Sequence, residues 1–130
     1  MGGTAVLTFA VLHPDLVAGV CRLNGTANLV EYDQFQEAIR ESYAGGKADV
    51  PDEYRKRSSE LFPERFTMPV AFTTGGRDTL VPPQSVLRLV QSLQQANHVV
   101  LSLHRQEGGH ETNYEDTCAA MEFMLQHAKR

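Results

Sequence analysis

Three short apolar runs, LVAGVCRLNG at 16–25, MPVAFTTGG at 68–76 and HVVLSLHR at 98–105, constrain this chain more than any other feature, because stretches of helical character separate them. The first stops at Asn24-Gly25, the second at Gly75-Gly76, and the third leads into Gly108-Gly109-His110, so each reads as a strand that finishes in a turn or loop. Ahead of them, residues 4–13 (TAVLTFAVLH) are apolar all round and predict a fully buried helix, ended at His13-Pro14 because the residue before a proline is pushed out of the helical region. Residues 28–66 hold two amphipathic stretches, NLVEYDQFQEAIRESY and DEYRKRSSELF, split by AGGKADVP, and predict two surface helices. Pro82-Pro83 suits a first helical turn, and Val86, Leu87, Leu89, Val90 and Leu93 then recur on one helical face. Thr112 to His127 predicts a last helix with Cys118, Met121 and Leu125 along one face.

Strands that alternate with helices imply an α/β domain with a parallel sheet, since only long, right-handed crossovers return a chain to parallel pairing. With 130 residues, 42% of them hydrophobic and 22% charged, the chain fits one globular domain spanning 1–130. Three parallel strands make a small sheet, so the first strand is expected to keep an open edge. Together with the all-apolar first helix, that edge predicts a homodimer. A net charge of -4 with scattered Lys and Arg argues against nucleic acid as a partner. No apolar run has the length of a membrane span, and no basic signal region opens the chain, which makes a cytoplasmic address the default expectation. Cys21 and Cys118 read as small buried hydrophobes; two thiols form no disulfide framework.

Ligands collect at the carboxyl ends of parallel strands, where loops converge. Asp78 follows the second strand there and His110 follows the third. Each alone is also an ordinary turn or loop residue; together, at one sheet edge, they become candidates for a carboxylate that orients an imidazole and stabilises its protonated form. His98, His104 and His110, with Glu107 and Glu111, recur at steps that match no metal-ligand spacing, so no metal and no other cofactor is expected. Asn24, at the exit of the first strand, either touches substrate or only makes the turn, and the turn is the favoured expectation. Tyr32, Phe35, Ile39, Tyr43, Tyr54, Leu61 and Phe62 either line an acyl pocket or pack their helices to the domain.

The segments GGRDTLVPP and EGGHETNYED resemble the acid loop and the histidine loop of α/β-hydrolase-fold serine hydrolases. The opening MGGTAVLTFAVLHPDLVAGVCRLNG is similar to the stretch of chain just after that family's nucleophile, with Met1 and Gly2 on the last two positions of the G-x-S-x-G elbow. The resemblance implies a partial α/β-hydrolase fold with residues 26–66 in the place of a helical lid or cap. It further implies an ester or related acyl substrate, Asp78 as the acid and His110 as the base. On this alignment the serine, its strand and the first oxyanion loop lie outside the chain, and Gly2 and Gly3 are the small residues that let the helix approach the strand. None of Thr4, Ser58, Ser59, Ser85 or Ser102 stands between elbow glycines, and Cys21 lies within a strand. The chain is therefore expected to be catalytically incomplete alone, to persist as a self-associating domain, or to have its site completed by another chain.

Overall fold

The computed structural model describes residues 1–128. Its order is α1 (Gly2–Leu12), β1 (Val20–Leu23), α2 (Gln36–Tyr43), α3 (Pro51–Lys56), β2 (Val70–Gly75), α4 (Gln84–Gln95), β3 (Val100–Arg105) and α5 (Tyr114–His127), with short 3-10 turns at Pro14–Leu16, Ser59–Leu61 and Pro63–Arg65. The three strands form one parallel sheet in the order β1-β2-β3, Val20 opposite Val70 and Val70 opposite Val100. The architecture is the α/β one that the alternation of runs predicts. The central strand β2 is buried along its whole length, as a parallel strand covered on both faces must be.

Leu7, Ala10 and Val11 of α1 and Val86, Leu89, Val90 and Leu93 of α4 meet Val20, Val70 and Phe72 in one apolar layer. Residues two apart on a strand share a face, so α1 and α4 cover the Val20–Phe72 side, and α5 crosses the opposite side against β2 and β1. A Cβ on Gly3 would collide with the Leu23 carbonyl, and one on Gly25 with the backbone of Gly3 and Thr4, so α1 touches the turn after β1 backbone to backbone. Gly2 has no such neighbour, and of the expected pair only Gly3 serves close approach.

Several expectations are corrected. The first helix is not fully buried: Val6 and Phe9 are 40% and 49% exposed, because β1 and the short turns at Pro14–Leu16 and Ser59–Leu61 pack against only part of its surface. On α5 Asp116 and Ala120 are buried and Met124 lies against Gly19 just before β1, whereas Met121 and Leu125 face outward. The apolar face read from the sequence is thus not the buried one. The two helices between β1 and β2 are shorter than their amphipathic stretches. Asn28 Oδ1 accepts the Val30 and Glu31 N–H groups (3.0 and 3.1 Å) and Ser58 Oγ accepts that of Leu29 (2.8 Å), so side chains hold residues 28–31 in turns and compete with a helical ladder. Tyr32, Ile39, Tyr43 and Tyr54 gather with Leu29 and Val50 into a second small cluster. Pro83 stands as N-cap of α4 rather than inside its first turn. Cys21 and Cys118 are free and half-buried rather than buried, and burial pushes the Cys21 thiol up.

Candidate active site

Past Gly75 the chain turns through Gly76 and Arg77 into Asp78. The Asp78 Oδ1 accepts the N–H groups of Leu80 (3.0 Å) and Val81 (2.8 Å), so the acid is held by its own turn, with its side chain only 2% exposed. The chain beyond β3 passes Gly108 and Gly109 and presents His110, whose Nδ1 lies 2.8 Å from Asp78 Oδ2 while the ring remains 41% exposed. The two residues expected to meet at the carboxyl end of the sheet do so. With Oδ2 accepting, Nδ1 carries the proton and the neutral ring offers the lone pair of Nε2.

Glycines make this meeting possible, though not through the sharp turn that Gly75-Gly76 suggests in the sequence. No glycine has a positive φ, so neither is required by a left-handed backbone. A Cβ on Gly75 would instead strike the carbonyl oxygens of Gly108 and Gly109, and one on Gly76 that of Gln106. The two loops lie against each other and are joined by Gly76 N–H to Arg105 O and Arg77 N–H to Gly108 O, each 2.8 Å.

Two further residues serve the pair, and sequence reasoning missed both. Asn24 does take a turn conformation, with φ 42°, yet its side chain reaches across the sheet edge. Nδ2 donates to the His110 carbonyl (2.5 Å) and to Thr112 Oγ1 (2.8 Å), Oδ1 accepts from Thr73 Oγ1 (3.3 Å), and the Thr73 and Thr112 hydroxyls are 2.9 Å apart. The visible signal was Thr73-Thr74, two hydroxyls within a strand buried along its whole length. Arg22 is the second, a lone base within an apolar run. It is buried in β1, and its Nη1 donates to the Thr73 carbonyl. Burial pushes its guanidinium down to about 9, and the nearby Asp78 carboxylate opposes that shift. From the segment before α2, the Tyr32 phenol donates to Leu80 O (3.0 Å); burial, then Asp78, pushes its pKa up.

Among the described residues no hydroxyl is hydrogen-bonded to the His110 ring. Ser58 Oγ donates to Tyr54 O (2.8 Å), Ser59 Oγ to Ala27 O (3.4 Å), Ser85 Oγ meets Thr26 Oγ1 (3.2 Å) and accepts from Ala27 N–H (3.1 Å), and Thr4 Oγ1 accepts from Thr26 N–H (3.0 Å). The other two candidate histidines lie elsewhere, His98 Nε2 at 2.6 Å from Met68 O and His104 Nδ1 at 2.8 Å from Thr74 Oγ1. No set of three metal-ligating side chains comes together among the described residues, and no described helix is long and apolar enough to cross a membrane.

Comparison with curated proteins finds no match. Solved structures do share the fold. Dipeptidyl peptidase 4 of Porphyromonas gingivalis superposes with a TM-score of 0.79 at 15% identity, covering 97% of this chain and 18% of that one. Acylaminoacyl peptidase of Pyrococcus horikoshii gives 0.76 at 17% identity, covering 99% and 23%. A puromycin-hydrolyzing peptidase of Mycobacterium tuberculosis gives 0.70 at 20% identity, covering 95% and 19%. This chain thus spans less than a quarter of each of these proteins. The model of the prolyl oligopeptidase family matches residues 1–130, which replaces the esterase-like expectation with a peptidase family. The family match over the whole length and the shared three-strand core agree: this chain belongs to the prolyl oligopeptidase family and carries part of an α/β-hydrolase-fold serine hydrolase.

Proposed function

We propose that Asp78 and His110 are the acid and the base of a Ser-Asp-His peptidase site, and that the nucleophilic serine comes from outside these 130 residues. The observation that carries this reading is the 2.8 Å contact between a buried carboxylate and a half-exposed imidazole whose Nε2 meets no hydroxyl of the described residues. In the completed site, Nε2 takes the serine proton as Oγ attacks the peptide carbonyl, and Asp78 stabilises the imidazolium so formed. The imidazolium then gives that proton to the departing amine, leaving an acyl-enzyme for water to cleave. Membership of a peptidase family favours a peptide over an ester substrate. Residues 26–66 would act as a cap beside the site, a role supported by the Tyr32 contact to the acid loop.

The isolated chain should not react with a fluorophosphonate probe, which captures activated serines. A stoichiometric adduct would reveal a nucleophile within the chain and end this reading. In-frame codons for Gly-x-Ser directly ahead of Met1 are expected in the gene. A second reading, a self-associating domain, is favoured by the apolar outer side of α1 and by β1, which pairs only with β2 among the described residues. Light scattering at micromolar concentration should then give the mass of a dimer.

A further inference from the structure

We propose that Arg22 is a positioning residue for the Asp78–His110 pair, bracing the end of β2 through Thr73 and supplying the buried positive charge against which Asp78 is set. The inference rests on reading that pair as acid and base. Arg22 shares a strand face with Val20, in the apolar layer under α1 and α4, and is 1% exposed. Its hydrogen bonding there is poor. Nη1 donates to Thr73 O, Nε has no partner among the described residues, and no carboxylate of these residues lies within ion-pair reach. A cation so placed costs stability that a packed apolar side chain would not, so its position calls for a role other than holding the fold.

Two lines lead from this guanidinium to the site. One is mechanical: the carbonyl it grips belongs to Thr73, whose hydroxyl bonds Asn24 and Thr112, and Asn24 in turn holds the His110 carbonyl. The other is electrostatic, since Asp78 is the carboxylate whose field reaches Arg22. A carboxylate beside an imidazole favours its protonated form, and a buried positive charge within the field of that carboxylate opposes the effect. The neutral ring is the form whose Nε2 can accept a proton. The other charged or titratable groups around the pair are Glu111, next to His110 in the chain, the Arg105–Asp116 ion pair across the histidine loop, the exposed Arg77–Glu107 ion pair between the two loops, and Tyr32 beside Asp78.

The test is the titration of the His110 ring followed by NMR in the full chain and in Arg22→Lys, Arg22→Gln and Arg22→Met. Removing the charge should raise the midpoint by about one pH unit in the Gln and Met variants, and by less in the Lys variant, whose buried ammonium gives up its proton more readily than the guanidinium. Neutral variants that titrate like the parent would overturn the proposal. A Lys variant that shifts further than they do would also overturn it, by tracing the effect to packing. Arg22→Gln keeps a donor for Thr73 O should Arg22→Met not fold. If both neutral variants fail to fold while the Lys variant folds, the charge serves the fold and the assignment falls. The titration is independent of turnover, so a complete enzyme without peptidase activity would sink the acid-base reading and leave this result standing.

Discussion

The acid loop and the histidine loop are built on opposite principles. Asp78 is fixed by residues just after it in the chain, through two N–H groups of its own turn, and its side chain is sealed from solvent. His110 has no such local support. Its loop is held from outside, by Asn24 after β1 and by the strap between Arg105 and Asp116, which closes the two ends of the loop with Nε–Oδ2 and Nη2–Oδ1 contacts of 2.9 and 2.6 Å. The difference suits the chemistry. In the roles proposed for the pair, an orienting acid does not move, while a base that must accept and return a proton needs access, and access leaves it dependent on borrowed contacts.

The sharpest way to break the comparison is Asp78→Asn. The variant keeps the size of the side chain but turns an acceptor into a mixed group, so the imidazole loses the partner that fixes its Nδ1–H tautomer. In the completed peptidase site, turnover should fall by roughly 10³–10⁴-fold. In the isolated chain the His110 midpoint should drop, opposite in sign to the rise expected when Arg22 is neutralised. A midpoint unchanged by Asp78→Asn would mean that the 2.8 Å contact has no electrostatic consequence.

A smaller effect is expected from the clamp. Asn24→Ala removes the donor to His110 and Thr112 and the acceptor for Thr73, and it puts alanine in a left-handed conformation. It should cost about 2–3 kcal/mol in urea unfolding. Asn24→Gly relieves the backbone and should cost less. In both, amide exchange should quicken at Gly109 to Thr112 and stay unchanged at Leu80 and Val81. Equal quickening in the two loops would refute the claim that one is self-supporting and the other is not.

This asymmetry also explains what could be read from the sequence. The order of elements and the position of Asp78 come from local signals, since apolar runs, turn residues and a short Asp-led loop lie next to one another in the chain. The meeting of Asp78 with His110 was legible because both loops leave the same end of parallel strands. The clamp was not, because Asn24-Gly25 announces only a turn, and its bonds to residues far along the chain exist only once the sheet has formed. The inner face of α5 was missed for a related reason. Hydrophobic periodicity counts large side chains, but Ala120 and the paired carboxylate of Asp116 are what the helix buries. Around α1 the sequence has no polar face at all, so periodicity carried no information about which side would remain open.

The strap across the histidine loop supplies the smallest effect and a pH test. The hydrogen bond from Arg105 holds Asp116 below its ordinary value of 3.8, with their Coulomb attraction adding and burial opposing. A carboxyl whose folded pKa is depressed contributes stability that is present above the unfolded value and is lost as pH falls through the folded one, because in that window the unfolded chain binds more protons. Asp116→Asn removes this contribution, so parent and variant should differ most above about pH 4 and converge as the pH falls below it in acid unfolding monitored by circular dichroism. The gap is expected to be modest, since the Arg105 side chain is largely open to water and screened. Parallel stability curves for the two proteins across that range would show that the strap is geometric only, leaving Asn24 as the principal restraint on His110.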